Sequence, residues 1–148
     1  MDPLSITVGV TSIIAVCLKV TLSLKKLRDG AQIVDVKVKG LLMEVGNFTQ
    51  TMNFIQETLG DSQFQQSFTL TGHISDHWRS ISACISDALQ TLESLHESLE
   101  KVDKNVRFLD NVRKQLRLKE ASEEIAVYQQ QIRSYRDIIQ LSIQTAIL

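Results

Sequence analysis

The chain has 148 residues, of which 43% are hydrophobic and 22% are charged, and its formal net charge is −1. This composition excludes an intrinsically disordered chain, and the length suits one domain with its own core. One proline and six glycines over this length favour long helices. Two isolated cysteines do not make a disulfide framework, so we expect buried thiols in a reducing, intracellular compartment.

The N-terminal segment is the most apolar part of the chain. Residues 4–24 carry a single charge, that of Lys19, and a helix over them would be about 31 Å long, close to the hydrocarbon thickness of a bilayer. Asp2 and Pro3 suit the start of a helix, and Asp29-Gly30 suits its end. An acid rather than a base precedes the apolar run, so we expect no secretion signal. The helix is expected to be enclosed by a bundle, to seek a membrane, or to do each in turn.

Three further helices are predicted by apolar residues that alternate in steps of four and three. The first runs from about residue 31 to 59, the second starts near residue 73, and the last runs from about residue 119 to the end. Residues 60–72 are a connector. The predicted core positions are Val34, Val38, Leu41, Val45, Phe48, Met52, Ile55 and Leu59, then Ile74, Trp78, Ile81, Ile85, Ala88, Leu92, Leu95, Leu99 and Val102, and finally Ile125, Tyr128, Ile132, Tyr135 and Ile139.

Helix propensity weakens and the charge changes sign near residues 103–105, which predicts a break and a short helix over residues 104–117. One unbroken helix to residue 117 is the alternative. The predicted fold is all-α: an antiparallel up-and-down four-helix bundle with an additional short helix, in a single domain over residues 1–148. The apolar pattern reaches Leu148 without a cap, so we expect a longer protein that continues beyond it.

The near-neutral total hides an uneven charge distribution. The net charge is +3 over residues 1–39, −7 over 40–103, +5 over 104–119 and −2 over 120–148. The basic cluster suits anionic lipid phosphates, although a solvated face paired with the acidic third helix remains an alternative. A nucleic-acid partner is not expected, because aromatic residues are too few for a stacking platform. The cluster consists of Lys104, Arg107, Arg113, Lys114, Arg117 and Lys119.

The chemistry of an enzyme is not evident in the sequence. We recognise no phosphate-binding loop, nucleophile elbow or Cys-x-x-Cys pair, and we expect neither catalysis nor a cofactor. His73 and His77 are four residues apart, a spacing that can bind a metal. Surface histidines at a helix start are the favoured interpretation, since no further ligand is evident nearby.

The opening residues 1–20, MDPLSITVGVTSIIAVCLKV, resemble the HeLo-like domains found at the N-terminus of fungal NLR-like (STAND) receptors. Residues 113–125, RKQLRLKEASEEI, followed by IRSYRDIIQLSIQTAI, look like the basic segment and final helix of that group. Where the family often has an aromatic residue, this chain has Arg117-Leu118-Lys119. The group is similar to the four-helix executioner domain of the mixed-lineage kinase domain-like pseudokinase.

The resemblance implies a cytoplasmic cell-death executioner that is recruited to the plasma membrane after a C-terminal sensor or receptor module oligomerises it. Together with the apolar first helix, it predicts self-association, docking of the basic cluster on anionic membrane lipids, and permeabilisation by insertion of the helix. The alternative function is a non-lytic helical adaptor or oligomerisation module whose first helix stays in the core. The residues expected to insert include Leu4, Ile6, Val8, Val10, Ile13, Ile14, Val16 and Leu18.

Overall fold

The architecture is taken from a computed structural model, which describes residues 3–30, 35–60, 74–106 and 111–147. These residues form four α-helices and contain no β-strand, so the predicted all-α four-helix bundle is confirmed at this level. The helices are α1 (Pro3–Gly30), α2 (Asp35–Leu59), α3 (Ile74–Val106) and α4 (Asn111–Ile147).

Three of the predicted helix boundaries agree closely with the structure. Helix α1 begins at Pro3, whose missing N–H costs nothing in a first turn, and ends at Gly30. Helix α2 ends at Leu59, and the backbone N–H of Gly60 donates to the carbonyl oxygen of Gln56 at 3.1 Å. The predicted connector beyond Gly60 and the predicted start of the second helix at residues 31–34 lie outside the described residues.

The additional short helix over residues 104–117 is not confirmed. Residues 104–106 complete α3, whereas residues 111–117 form the first turns of α4, which continues unbroken to Ile147. The last helix thus begins at Asn111 rather than near Lys119. A change in the sign of charge does not end a helix, and the Lys, Arg, Gln and Leu residues of this segment are all strong helix formers. Residues 107–110 lie outside the described part of the chain.

Where their side chains are described, the residues that the four-three spacing predicts form most of the core on α2, α3 and α4. On α2 every predicted position from Val38 to Leu59 is at most 2% exposed, and on α3 the positions from Ile81 to Val102 are buried. On α4 the predicted positions Ile125, Ile132 and Ile139 are buried, while Tyr128 and Tyr135 pack against the core with part of their surface exposed. This burial is the main stabilising contribution in a bundle of amphipathic helices.

The four helices form a ring in which each helix packs on two neighbours: α1 and α4 each contact both α2 and α3. Neighbours α1 and α2 are antiparallel, since Gln56 near the end of α2 donates from Nε2 to Thr11 Oγ1 near the start of α1 at 3.3 Å. Helices α3 and α4 are also antiparallel, because Cys84 contacts Tyr135 whereas Val102 lines a cleft with Ala121.

The other two neighbouring pairs run parallel. Contacts between α2 and α4 keep a constant offset of 89 residues from Glu44–Arg133 to Thr51–Gln140. Between α1 and α3, Gly9 approaches Ile85 at one end, and Lys26 lines a cleft with Lys104 at the other.

Helix direction therefore alternates along the chain, but an arrangement with only antiparallel neighbours is not confirmed. Helices α2 and α3, although consecutive, are diagonal in the ring. The stretch between Leu59 and Ile74 exceeds the roughly two to eight residues that usually join adjacent helices.

Candidate functional site

The side chains predicted to enter a membrane do not lie on one face of α1. Ile6, Val10 and Ile13 are at most 1% exposed and belong to the core, and Ile14 and Val16 are half-buried against it. Val8 and Leu18 are exposed, whereas the side chain of Leu4 lies outside the described part of the structure. Insertion of the whole set would therefore require α1 to leave the bundle.

Helix α1 also presents an apolar face to solvent, which corrects the expectation that the other helices enclose it. Val8, Leu18 and Leu22 are 61%, 62% and 54% exposed, and Ala15 is exposed as well. With Thr11 these residues recur in steps of three and four, which places them along one side of the helix. We call residues 8, 11, 15, 18 and 22 the outer stripe. It is exposed because α1 packs on only two neighbours in the ring.

Three hydroxyl groups of α1 donate hydrogen bonds within the helix itself. Thr11 Oγ1 donates to the carbonyl oxygen of Thr7 at 2.9 Å, Ser12 Oγ to that of Val8 at 3.0 Å, and Thr21 Oγ1 to that of Cys17 at 2.7 Å. A hydroxyl that donates to the preceding turn needs no donor partner from water. These polar side chains consequently add little to the cost of moving α1 into an apolar phase.

One described helix, with an apolar stretch from Ile6 to Leu27, is long and apolar enough to cross a membrane. Within the most apolar 18 residues of this stretch, 33% are buried in the bundle. Core helices of soluble proteins and signal sequences share this length and composition, so the property is weak support for membrane entry by itself.

The basic cluster lies on the protein surface wherever its side chains are described. Lys104 is exposed at the end of α3, and Arg113, Arg117 and Lys119 are exposed on the first turns of α4. Arg117 Nη1 is 3.4 Å from Glu120 Oε2 on the same helix, and exposed pairs of this kind contribute about 0–1 kcal/mol. Arg107 and the side chain of Lys114 lie outside the described part of the chain.

The first turns of α4 extend beyond the start of α2. The constant offset between these helices places the first residue of α2, Asp35, level with Glu124. Val112 and Leu116, which precede that level, are 71% and 59% exposed. This end of α4 thus alternates exposed aliphatic and exposed basic side chains, a combination that suits the boundary between lipid headgroups and acyl chains.

Helices α2 and α4 enclose a buried charge at a position that the four-three pattern leaves on the outer side of α2. Glu44 is 3% exposed, and its Oε1 lies 2.7 Å from Arg136 Nη1, while its Oε2 accepts from Arg133 Nε at 3.3 Å. No local signal pairs residues that are 89 and 92 positions apart. Half of the residues that line a neighbouring cleft of about 450 Å³ carry amide side chains, namely Asn47, Gln50, Gln140 and Gln144.

Both cysteines are buried, as predicted, and both thiols are difficult to ionise. Burial raises the pKa of the Cys17 thiol from 9.0 to about 11, although a hydrogen bond with Thr49 opposes the shift. Burial, with the Asp87 carboxylate as a second cause, raises the pKa of Cys84 to about 11. Neither thiol has the low pKa and exposure of a reactive cysteine.

The histidine pair cannot be placed, because His73 and the side chain of His77 lie outside the described residues. Among the residues whose positions are described, no three His, Cys, Asp or Glu side chains cluster in a way that could hold a metal ion.

Comparison with known proteins gives no relative for this chain: no family model, no curated protein and no solved structure matches it significantly.

Proposed function

We propose that this chain is a membrane-targeting cell-death executioner domain of a fungal innate-immunity pathway of the heterokaryon-incompatibility type. In this proposal a C-terminal sensor or receptor module oligomerises the cytoplasmic bundle, which then moves to the plasma membrane and permeabilises it through α1. The observation that carries the proposal is α1 itself, an apolar helix of bilayer length that already exposes Val8, Leu18 and Leu22.

Release of α1 is the energetic obstacle in this mechanism. The helix contributes six buried aliphatic side chains to the core, and each is worth about 1.5–3 kcal/mol, so separation into water would cost on the order of 10–20 kcal/mol. Insertion into a bilayer offsets this cost, because the acyl chains accept the same apolar surface. The side chains in question are Ile6, Val10, Ile13, Val20, Leu24 and Leu27.

Self-association and lipid docking concentrate α1 helices at the membrane, which a single domain in solution does not do. Oligomerisation raises the local concentration of α1 helices at the membrane. Lys19 is exposed on α1, and burial of its charge at mid-membrane would cost roughly 2.5–3.5 kcal/mol. Its long side chain reduces this cost by extending towards the headgroups.

Leakage of dye from anionic liposomes tests the proposal with the folded chain. The double substitution Leu18→Gln and Leu22→Gln removes exposed apolar surface from the outer stripe without altering the core, so leakage is expected to fall at least about tenfold. The matched control, Met43→Gln with Val127→Gln, changes exposed apolar residues on other helices. If wild-type protein releases no dye even after forced oligomerisation, the executioner proposal is wrong.

A non-lytic adaptor or oligomerisation module is the second candidate, and the spacing of the outer stripe favours it specifically. Steps of three and four residues are also the pattern with which one helix packs on another. In this alternative the outer stripe contacts a protein partner and α1 stays in the bundle. A stable oligomer that ignores lipid, and that Leu18→Gln with Leu22→Gln dissociates, would support the adaptor.

A further inference from the structure

The directions of the four helices bring separate parts of the sequence to one end of the bundle. Because α1 and α3 run parallel, and α2 and α4 run in the opposite direction, the ends of α1 and α3 lie beside the starts of α2 and α4. Residues 23–30, 35–42, 99–106 and 111–120 form the last or first two or so turns of each helix on this side, and those of α4 extend beyond the start of α2.

The two ends of the bundle differ strongly in charge. The end just defined contains eleven basic and five acidic residues. The opposite end, taken as residues 3–10, 52–59, 74–83 and 138–147, contains one basic and two acidic residues. The basic side chains described as exposed at the first end are Lys25, Lys26, Lys37, Lys39, Lys101, Lys104, Arg113, Arg117 and Lys119.

We infer that this basic end, built from all four helices, is the surface that docks on anionic lipid headgroups. The inference deepens the proposed function and rests on it. It adds Lys25, Lys26, Lys37, Lys39 and Lys101 as lipid-binding residues to the cluster in residues 104–119. Each basic residue near an anionic membrane surface contributes about 1 kcal/mol, so the contributions from α1 and α2 are comparable with those from α4.

Exposed aliphatic side chains at the same end favour a bilayer over a nucleic acid. Val112 and Leu116 lie among the basic residues of α4 and are more than half exposed. Aliphatic side chains next to lysine and arginine enter the headgroup region of a membrane, whereas nucleic-acid surfaces combine basic residues with aromatic ones for stacking. Phe54, an exposed aromatic residue, lies on the last turns of α2, at the opposite end.

Docking through this end would hold the bundle upright on the membrane. Lys25 and Lys26 would lie at the headgroups, and the start of α1 would stand roughly 40 Å away, the length of a 28-residue helix. The outer stripe then runs away from the membrane surface and does not contribute to the first binding step. Docking and insertion are therefore separate events with separate residue requirements.

Co-sedimentation of the full chain with vesicles of phosphatidylcholine, with and without phosphatidylserine, tests this inference. Lys25→Glu with Lys37→Glu is expected to weaken binding to the anionic vesicles at least about tenfold, as is Arg113→Glu with Arg117→Glu. The control, Arg79→Glu with Asn53→Glu and Ser80→Glu, changes the net charge equally at exposed positions of the opposite end, and should leave binding within about twofold.

Circular dichroism and thermal melting establish that each variant is folded, and Lys25→Gln with Lys37→Gln replaces the glutamate variant if that one unfolds. If the variant with Lys25→Glu and Lys37→Glu binds normally while the variant with Arg113→Glu and Arg117→Glu does not, the docking surface does not include α1 and α2. Such a result would overturn the four-helix surface while leaving lipid docking intact. Absence of wild-type binding to phosphatidylserine vesicles would overturn the proposed function as well. Tighter binding to a labelled DNA duplex than to vesicles would overturn the choice of lipid.

Discussion

Arg136 Nη1 lies 2.7 Å from Oε1 of Glu44, and this ion pair joins α4 to α2. The Glu44 side chain is 4% exposed and that of Arg136 is 19% exposed, while Arg133, at 49%, approaches the same carboxylate from the solvent side. The contact between Arg136 and Oε1 is ionic and lacks the alignment of a hydrogen bond. The carboxylate thus depends on two arginines from one neighbouring helix.

Removal of this carboxylate charge is expected to destabilise the fold. Glu44→Gln leaves two guanidinium groups next to a neutral amide. Because both arginines retain access to water, the free energy of unfolding should fall by only about 1–3 kcal/mol. Urea denaturation followed by circular dichroism measures the change. Glu57→Gln, at an exposed position of the same helix, is the control and should change the free energy of unfolding by less than about 0.5 kcal/mol. Equal effects of the two substitutions would show that the ion pair contributes nothing.

Two glycines within helices should respond in opposite directions to alanine. A Cβ at position 9 would lie 2.8 Å from Ile85 Cγ2, a methyl group of a side chain that is 3% exposed, whereas a Cβ at position 46 meets no atom within 4 Å. Gly46→Ala should therefore stabilise by up to about 1 kcal/mol through helix propensity. Gly9→Ala should destabilise by about 1–2 kcal/mol, since overpacking outweighs propensity. Thermal melts of both variants measure whether each substitution stabilises or destabilises the fold. Stabilisation by Gly9→Ala would disprove the close approach of α1 to α3.

The buried thiols predict an alkaline loss of stability. Folding raises the pKa of both cysteines from 9.0 to about 11, so the unfolded chain ionises first as the pH rises. The stabilising contribution is complete below about pH 9 and is lost between about pH 9 and 11. Urea midpoints at pH 8, 9.5 and 10.5 should fall in that order. Cys17→Ala should reduce the slope, and an unchanged slope would exclude ionisation of Cys17 as a cause.

A disulfide between α1 and α2 would separate docking from insertion. Cys17 on α1 hydrogen-bonds with Thr49 on α2, so Thr49→Cys places two sulfur atoms within reach of one another. Under the executioner proposal, the oxidised variant should bind anionic vesicles normally but release little dye, because α1 cannot leave the bundle. Reduction should restore leakage, and Thr49→Ser is the control under both conditions. Full leakage by the oxidised protein would exclude release of α1.

The features that could be predicted from the sequence are those encoded within one helix. The spacing of Leu41, Phe48 and Ile55 predicts a buried face because helical geometry converts sequence separation directly into angular position. The end of α1 at Gly30 and that of α2 at Leu59 follow from local helix signals in the same way. The short helix predicted over residues 104–117 is not confirmed, because weaker helix propensity and a change in the sign of charge do not by themselves define a separate helix.

Features that depend on two or more helices were beyond prediction. The exposure of Leu18 and Leu22 reflects the number of neighbours of α1, whereas its apolar composition predicts a helix enclosed by the others. The four-three pattern predicts a surface position for Glu44, since both of the arginines that pair with it lie on the last helix. Lys25, Lys37 and Arg117 lie at the same end of the bundle because of the directions in which the helices run.

The order of amino acids is enough to establish that the chain forms long amphipathic helices, which residues of each helix are buried, and that the first helix is apolar enough to enter a membrane. These properties depend on interactions within about one turn and on the preference of apolar side chains to leave water. The positions of the helices in the ring, the outer stripe of α1 and the single basic end emerge when the four helices pack together. Packing fixes these features, because many different arrangements bury the same apolar faces equally well.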